Sequence, residues 1–555
     1  MPASRPALCL LPRPSKVSSL GGRLTLDRDT AVRALPGSEP AADLLRSLVG
    51  CPAGLPLAPS PDGRIVLALD DRLGGLGEEG YGLTVAPQAL QLRAAHLTGL
   101  LWGVQTIRQL LPPEALSGGA AGTGSWELPC VEITDVPDRP WRGAMLDVAR
   151  RFQPIGFVRR YVDLMALHKL NVLHLHLTDD QGWRMPVDAY PRLISVGSRR
   201  SRSQKGPTGP DGAHFDAVPH EGHYTKAELR GLVRYAAERG ITVVPEIEMP
   251  GHVRAALAAY PELGNHPERH LDVWTRWGVC DTILGVHEGV FAFCRAVLEE
   301  VMDVFPSPYI HIGGEECPTT EWEDSPAARE RAAALGLAGP AELHGWFMGR
   351  IGAFLVERGR IPLGWVENGA ELPPEFTVMT WRDSAHARAA ARRGHRVIAA
   401  HHRATYLDYA QSGDPSEPVA QPGAPVPLHT VHGYEPAPHD WPEAERARVL
   451  GTQVQLWTEY ARTPEEIEYL SFPRLCALAD RSWSGGRGDW PGFVERLRHH
   501  TARLDALGVR YRALDAHALT TTTSSTATSA SPPPTPSPSP SPSKSTSAGT
   551  ARLHP

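Results

Sequence analysis

The sequence predicts an α/β protein built around a (β/α)8 TIM barrel, with a small α+β domain before it and a disordered tail after it. After Trp141, eight short apolar runs alternate with amphipathic helical stretches, the pattern of parallel βα units. Most of these runs are followed closely by a carboxylate or an aromatic side chain. From Thr520 to about Thr550 the chain is almost entirely Ser, Thr, Pro and Ala, which cannot offset the entropy cost of ordering.

The first 136 residues are expected to form the α+β domain. They combine short strand-like runs, such as 64–69, with a segment over 97–111 whose apolar residues recur at helical spacing. Pro137 and Pro140 mark a boundary. We therefore predict an N-terminal non-catalytic domain over 1–136, the catalytic barrel over 137–515 and the tail over 516–555.

The barrel strands are predicted from the apolar runs after this boundary. They are 143–148, 172–177, 242–247, 309–312, 361–365, 376–381, 396–400 and 453–457. Helices are predicted between them over 156–170, 226–239, 290–304 and 342–358. In such a barrel, functional residues lie at the carboxyl ends of the strands.

Composition and charge exclude several classes of protein. Lys and Arg number 56 against 62 Asp and Glu, a net charge of −6 without long runs of one sign, so a nucleic-acid partner is not expected. The chain lacks an apolar stretch of the roughly 20 residues needed to span a membrane. Pro12, Arg13 and Pro14 interrupt the N-terminal apolar run before a secretory core forms. The seven cysteines include no C-x-x-C pair, and we expect a cytoplasmic protein without metal or cofactor.

Carboxylates and aromatic residues converge at the carboxyl ends of the predicted strands. These residues are Arg150, Asp179, Asp180, Glu248, His252, Glu315, Glu316, Trp365, Glu367, Trp381, Asp383, Tyr406, Asp408, Trp457 and Glu459. Carboxylates supply acid and base catalysis and bind sugar hydroxyls, and aromatic faces form the apolar walls of small-ligand pockets. The combination indicates a sugar as substrate. The adjacent Glu315 and Glu316 are candidates for the carboxyl groups that glycoside hydrolysis needs.

The segment from His311 to Glu316 reads HIGGEE, and it is the most specific motif in the chain. Here the sequence resembles the family 20 glycoside hydrolases, the β-N-acetylhexosaminidases, whose hallmark is His-x-Gly-Gly-Asp-Glu after barrel strand 4. The resemblance runs from about residue 60 to 515, with further motifs LDVAR at 146–150, LHLTDDQGWR at 175–184, PEIEMPGH at 245–252, YLD at 406–408 and LWTE at 456–459.

The resemblance implies an exo-acting, retaining enzyme with substrate-assisted catalysis, in which the 2-acetamido carbonyl of the sugar attacks its own anomeric carbon. It implies that Glu316 is the general acid and base. Glu315 stands where the family has Asp, the residue that orients the acetamide and stabilises the oxazolinium intermediate. The expected partner is an oligosaccharide or glycoconjugate that ends in β-linked N-acetylglucosamine or N-acetylgalactosamine.

The resemblance also implies a role for each remaining residue of the pocket. Arg150 and Glu459 would hold the outer hydroxyls of the terminal sugar, with help from Asp408. Asp179 and His252 would form a polar relay that supports Glu316. The walls and the acetamide contact are assigned to Trp365, Trp381, Trp457 and Tyr406.

Two other functions remain open at this stage. Because Glu315 adds a methylene group relative to Asp, the chain could be a non-catalytic or altered-specificity sugar-binding protein on the same barrel. His174 and His176 share one face of a strand, so a metal-dependent hydrolase is a third hypothesis, although interior packing explains both residues better. In addition, members of the family often place a further Trp after the Tyr-x-Asp motif, and residues 411–427 contain none.

Overall fold

A computed structural model of the chain describes residues 8–118, 124–366, 372–515 and 519. The predicted tail over 516–555 lies outside the described residues except for Leu519, and Glu367 also lies outside them. Every helix within the described ranges is too short or too polar to cross a lipid bilayer.

The N-terminal domain consists of a six-stranded sheet and the helices packed on it. Its strands are β1 (Lys16–Asp27), β2 (Val32–Ala34), β3 (Ile65–Leu69), β4 (Tyr81–Val85), β5 (Leu90–Ala94) and β6 (Ser125–Asp135), in the spatial order β1-β6-β4-β5-β3-β2. Its helices are α1 (Glu39–Leu45), α2 (Cys51–Ala53) and α3 (Leu97–Leu110). Helix α3 corresponds to the helix predicted over 97–111 and is buried along almost its whole length.

Eight parallel strands close into a barrel, which confirms the predicted fold class. They are β7 (Trp141–Asp147), β8 (Val172–His176), β15 (Thr242–Glu246), β16 (Tyr309–His311), β17 (Ile361–Val366), β18 (Thr377–Thr380), β19 (Arg396–Ala399) and β20 (Val449–Leu456). The barrel closes where β20 pairs with β7. The strands read as almost continuous apolar runs because both of their faces are buried.

Short strands and helices connect the barrel strands. Small antiparallel strands follow β8, namely β9 (Thr178–Asp179), β10 (Gly182–Trp183), β11 (Arg199–Arg200), β12 (Gln204–Gly209), β13 (Gly212–Phe215) and β14 (His220–Glu221). The helices are α4 (Ile155–Leu167), α5 (Arg192–Ser195), α6 (Lys226–Ala237), α7 (Arg254–Ala259), α8 (Glu288–Val304), α9 (Thr320–Asp324), α10 (Pro326–Ala334), α11 (Leu343–Glu357), α12 (Ser384–Arg392), α13 (His402–Thr405), α14 (Leu428–Gly433), α15 (Glu443–Arg446), α16 (Pro464–Ser471), α17 (Arg474–Ser484) and α18 (Trp490–Ala506).

A buried polar cluster joins the N-terminal domain to the barrel. The fully buried carboxylate of Asp135, at the end of β6, accepts a 2.8 Å hydrogen bond from Lys169 Nζ and another from Tyr81 Oη. Trp483 of α17 donates to the second oxygen of Asp135 at 2.9 Å, and its ring lies 4.5 Å from Lys169 Nζ. Because both charges are paired and hydrogen-bonded, the cluster ties the two parts together without leaving an unpaired buried charge.

Candidate active site

A cavity opens at the carboxyl ends of the barrel strands. The residues that line it are Arg150, His252, Glu315, Glu316, Trp365, Trp381, His402, Tyr406, Asp408, Tyr409, Gln421, Trp457 and Glu459. The residues to which the resemblance assigns a role therefore lie together around one pocket, except Asp179, which does not line it and contacts Arg150 and His252 from behind.

The turn after β16 carries the two adjacent glutamates into this pocket. Gly313 and Gly314 have φ values of 63° and 99°, and Glu316 itself has a φ of 45°. A side chain at position 313 would collide with the Glu248 carboxyl group, since a Cβ there would lie 1.8 Å from Glu248 Oε2. Only glycine fits this close approach in this backbone conformation. The HIGG motif thus turns the backbone so that both glutamates reach the cavity.

Glu316 is the more exposed of the two glutamates, and His252 approaches it from the side. His252 Nε2 lies 3.5 Å from Glu316 Oε2. Burial opposes ionisation of Glu316, but the hydrogen bond and the positive charge of His252 outweigh it and lower the pKa of Glu316. Burial likewise disfavours the charged form of His252, yet the charge of Asp179 outweighs this effect, so the pKa of His252 lies well above its ordinary value. In the empty site, His252 is a cation and Glu316 a carboxylate.

The relay behind His252 involves both aspartates of the TDDQGW segment. His252 Nδ1 lies 3.0 Å from Asp180 Oδ2 and 3.3 Å from Asp179 Oδ1. Asp180 Oδ1 also accepts the backbone N–H of Arg254 at 3.0 Å. The family resemblance assigns no role to Asp180, although Asp180 makes the shorter contact with His252. The signal that could have found it is its position beside Asp179 in the same motif.

Asp179 connects the relay to the part of the pocket that contains Arg150. Its Oδ2 atom lies 2.9 Å from Arg150 Nη2 and 2.8 Å from His176 Nε2. Burial raises the pKa of Asp179, but the charges of Arg150 and His252 overcome this and leave it far below its ordinary value. Arg150 also donates from Nε to Gln181 Oε1 at 2.9 Å. The guanidinium group is therefore held rigidly at the edge of the pocket.

Glu315 lies deeper than Glu316 and is only 8% exposed. Its Oε2 atom is buried without a hydrogen-bond partner among the described residues. Burial, and then the negative charge of Glu246, raise the pKa of Glu315 to about 8. In the empty site Glu315 thus holds a proton, whereas its neighbour Glu316 is ionised.

The opposite wall combines the buried carboxyl group of Asp408 and the half-buried one of Glu459 with aromatic rings. Asp408 Oδ1 is buried and has no partner among the described residues, and burial followed by the charge of Glu459 raises the pKa of Asp408 well above its ordinary value. The Trp381 and Tyr406 rings stack with centroids 6.4 Å apart. The Cζ atom of Arg150 lies over the Trp457 ring, 4.9 Å from the ring centroid. Acceptors without donors beside aromatic faces suit a ligand rich in hydroxyl groups.

Comparison with known proteins decides the family. Residues 140–486 match the sequence model of the glycosyl hydrolase family 20 catalytic domain. Residues 7–136 match the model of domain 2 of the same family. The chain belongs to glycosyl hydrolase family 20.

Its relatives in family 20 are β-hexosaminidases. The β-hexosaminidase of Porphyromonas gingivalis is 36% identical over 514 residues, which are 90% of this chain and 64% of that protein. The enzyme of Akkermansia muciniphila is 36% identical over 441 residues, 78% of this chain and 85% of that protein. The crystal structure of an exo β-N-acetylglucosaminidase from Vibrio harveyi with N-acetylglucosamine superposes with a TM-score of 0.82 at 31% identity, covering 92% of this chain and 80% of that chain. None of these three favours a non-catalytic binding protein.

The family 20 pocket of this chain contains three lining residues that sequence reasoning missed. They are His402, Tyr409 and Gln421. His402 Nδ1 lies 3.3 Å from Tyr409 Oη, and the backbone N–H of Gln421 donates to the carbonyl of Asp408 at 2.9 Å. Gln421 comes from the segment over 411–427, which has no Trp. A neutral amide and a phenol thus line the pocket near the side where that segment folds back onto Asp408.

His174 and His176 point into the barrel beneath the pocket and are fully buried. Both lie against Glu246: His176 Nδ1 is hydrogen-bonded to its carboxylate, and His174 Nε2 lies 3.1 Å from it. Two sets of ligand atoms, His174–Glu246–His311 and His176–Glu246–Glu248, are close enough to hold a metal ion. However, Glu246 Oε1 accepts a 2.7 Å hydrogen bond from Trp365 Nε1 and Glu246 Oε2 is bonded to His176, so both oxygens are already engaged. The donor set therefore fits a metal poorly, and interior packing accounts for both histidines.

Proposed function

We propose that this chain is an exo-acting, retaining β-N-acetylhexosaminidase that hydrolyses terminal β-linked N-acetylglucosamine or N-acetylgalactosamine. The observation that carries the proposal is the Glu315–Glu316 pair. One carboxyl group is buried and the other is exposed to the same cavity, at a strand end in a family 20 barrel. Membership of the family and the β-hexosaminidase relatives support the same activity.

The substrate supplies the nucleophile in this mechanism. Its acetamide oxygen attacks the anomeric carbon while the bond to the leaving oxygen breaks, and an oxazolinium ion forms. Holding both reacting groups within one molecule gives a high effective concentration, so the protein needs only to orient the acetamide. Glu315 accepts the acetamide N–H and places its negative charge beside the cation, and Tyr406, which lines the same pocket, donates its hydroxyl to the acetamide oxygen.

Glu316 moves the proton in both steps. It donates a proton to the leaving oxygen in the first step, and in the second it takes a proton from the water that attacks the anomeric carbon as the bond from that carbon to the acetamide oxygen breaks. This returns the site to its starting state and retains the anomeric configuration. Proton transfer of this kind typically contributes about 10²–10⁴-fold to the rate.

The empty site holds the proton on the other carboxyl group. The pKa of Glu315 is raised to about 8 and that of Glu316 is lowered, whereas the reaction needs an ionised Glu315 and a protonated Glu316. Substrate binding moves the proton from Glu315 to Glu316. The acetamide N–H stabilises the charged form of Glu315, and the exclusion of water from the pocket stabilises the neutral form of Glu316. Before the first step the pair holds one proton, and substrate binding changes only its position.

The outer hydroxyls of the terminal sugar are bound on the opposite side of the pocket. Asp408 and Glu459 have raised pKa values because burial removes water from their carboxyl groups, so hydroxyl donors from the sugar satisfy them. Arg150 contributes fixed donors. A pocket enclosed by these residues accepts only the terminal sugar of a chain, so the enzyme removes sugars from the chain end.

The test is the release of 4-nitrophenol from 4-nitrophenyl N-acetyl-β-glucosaminide, compared with the corresponding β-glucoside. We expect cleavage of the acetamido sugar alone. In a Glu316→Gln control the rate should fall by about 10²–10⁴-fold, because the proton donor is removed. Equal cleavage of both sugars would contradict acetamide assistance. Binding of N-acetylglucosamine without cleavage by the wild-type protein would favour a sugar-binding protein instead.

A further inference from the structure

Glu248 is a buried carboxyl group next to the catalytic turn, and neither of its oxygens has a hydrogen-bond donor among the described residues. The residue follows β15 and is 2% exposed, and its side chain is completely inaccessible. The carboxyl group of Glu248 packs against Gly313, in the turn that carries Glu315. An ionised carboxylate with no donor at such a position would be very costly.

The charged groups around Glu248 come from four parts of the barrel end. Glu246 ends β15 and His252 follows Glu248 itself, His176 ends β8, Asp179 lies on β9, and Glu315 follows β16. Burial raises the pKa of Glu248 most strongly, the three carboxyl groups raise it further, and the positive charge of His252 lowers it.

The two histidines near Glu248 are engaged elsewhere. His176 Nδ1 is 3.9 Å from Glu248 Oε1, but it bonds to Glu246, and His176 Nε2 faces Asp179 at 2.8 Å. The Nδ1 atom of His252 contacts Asp179 and Asp180, and its Nε2 atom contacts Glu316. Glu248 therefore has no cation of its own and is a neutral carboxylic acid at neutral pH.

A neutral carboxylic acid has one O–H to donate, and Glu315, once substrate binding has ionised it, has a buried oxygen that needs a donor. Glu315 Oε2 is without a partner among the described residues, and Glu315 exerts the strongest electrostatic effect of any residue on Glu248. Buried polar atoms are nearly always hydrogen-bonded, and a single shared proton would satisfy one oxygen of each residue.

We propose that Glu248 is a positioning residue that stays protonated and donates its O–H to Glu315 when the bound substrate has converted Glu315 to the carboxylate. The inference rests on the proposed function and adds a residue to it. As the oxazolinium cation forms, Glu315 carries the negative charge and Glu248 keeps its proton, so no proton enters or leaves the floor of the pocket. The bond also holds the Glu315 side chain, which has one torsion more than the Asp of the family motif.

Two substitutions of Glu248 separate its hydrogen bond from its charge. Glu248→Gln keeps the shape, a neutral group and an N–H donor, so we expect kcat within about three-fold of wild type and an unchanged alkaline limb of the pH profile. Glu248→Leu keeps neutrality but removes the donor. It should lower kcat by about 10–100-fold, the usual effect of losing a hydrogen bond to a charged group, while KM changes by less than about three-fold. Its alkaline limb should move to higher pH, because the Glu315 carboxylate has lost its donor.

Two results would overturn the proposal. If Glu248→Gln moves the alkaline limb to lower pH by about one unit or more, Glu248 is ionised in the wild-type protein and raises the pKa of Glu315 by its charge. If Glu248→Leu retains both the wild-type kcat and the wild-type pH profile, no bond to Glu315 exists. Thermal unfolding of both variants identifies a folding defect, and the Gln variant alone still decides whether Glu248 is charged.

An infrared measurement keeps this test independent of the proposed function. The wild-type protein is first assayed with the acetamido substrate. If it cleaves nothing, the proposed function fails, but the carbonyl absorption of a buried protonated carboxyl group at pH 7 can still be compared between wild type and Glu248→Gln. We expect a band in the wild type that the variant lacks. Identical spectra would overturn the protonated state of Glu248.

Discussion

The Nε2 atom of His252 lies 3.5 Å from the Oε2 atom of Glu316, and His252 is doubly protonated. This contact lowers the pKa of the residue that must deliver a proton. The imidazolium group therefore makes Glu316 ready to take a proton back from water, and substrate binding must restore its acidity.

Replacement of His252 by Asn should raise the pKa of Glu316, because the nearest cation is removed. We expect the acid limb of the kcat/KM profile to move to higher pH by about one unit or more. The matched control is Asp180→Asn, which keeps the imidazole but weakens its charge, so it should shift the limb in the same direction by less. A profile that does not move in either variant would show that His252 does not control Glu316.

The pH dependence of the wild-type protein follows from the proton shared by Glu315 and Glu316. Since the active form holds one proton on the pair, kcat/KM should fall about tenfold per pH unit above pH 8, where the pair loses that proton. On the acid side it should fall only below the ordinary carboxyl range, where Glu316 also becomes protonated. Initial rates between pH 3 and 10 test this. An alkaline limb near pH 5 would contradict it.

Asp408→Asn should stabilise the empty protein while reducing activity. The pKa of Asp408 is raised in the folded state, so its carboxylate destabilises the fold at any pH above its pKa in the unfolded chain. A neutral amide removes this penalty. We expect a higher Tm at pH 7, a gain that disappears as the pH falls to the unfolded pKa, and a lower kcat/KM because a sugar contact is lost. A lower Tm at pH 7 would contradict the assignment.

Asp135→Ala should destabilise the junction between the N-terminal domain and the barrel. The substitution leaves the Lys169 ammonium group buried without its counter-charge, which typically costs about 3–5 kcal/mol. Urea unfolding measures the loss. The double variant Asp135→Leu with Lys169→Met removes both charges and should recover most of it. Equal loss in the single and double variants would mean that packing, not charge, is responsible.

The eight barrel strands could be predicted because each is buried on both faces and reads as an apolar run. The error was largest at the last strand, which begins at Val449 instead of residue 453. Gly451 and Thr452 interrupt the apolar pattern there. The pairing register of β19 with β20 also shifts at this point, and Gly451 has a φ of 154°. An irregularity of this kind depends on the neighbouring strand, so the apolar pattern does not reveal it.

The position of the site could be predicted for the same reason, but the individual contacts made by each residue within it could not. Asp179 and Asp180 are adjacent letters in one motif, and the short β9–β10 pair determines that Asp180 makes the closer contact with His252. Gln421 reaches the pocket because residues 411–427 fold back onto Asp408, and nothing in that segment has a helical or strand period to place it.

The sequence alone determined the barrel, the end of the barrel that carries function and the residue types available there, because these follow from periodicity and from short motifs after strands. The tertiary structure decided which carboxyl group holds a proton. Glu248, Glu315 and Glu316 are chemically identical side chains, and their pKa values differ only because burial and neighbouring charges differ at each position. Those neighbours come from separate strands, so the chemistry of the site exists only after the barrel has closed.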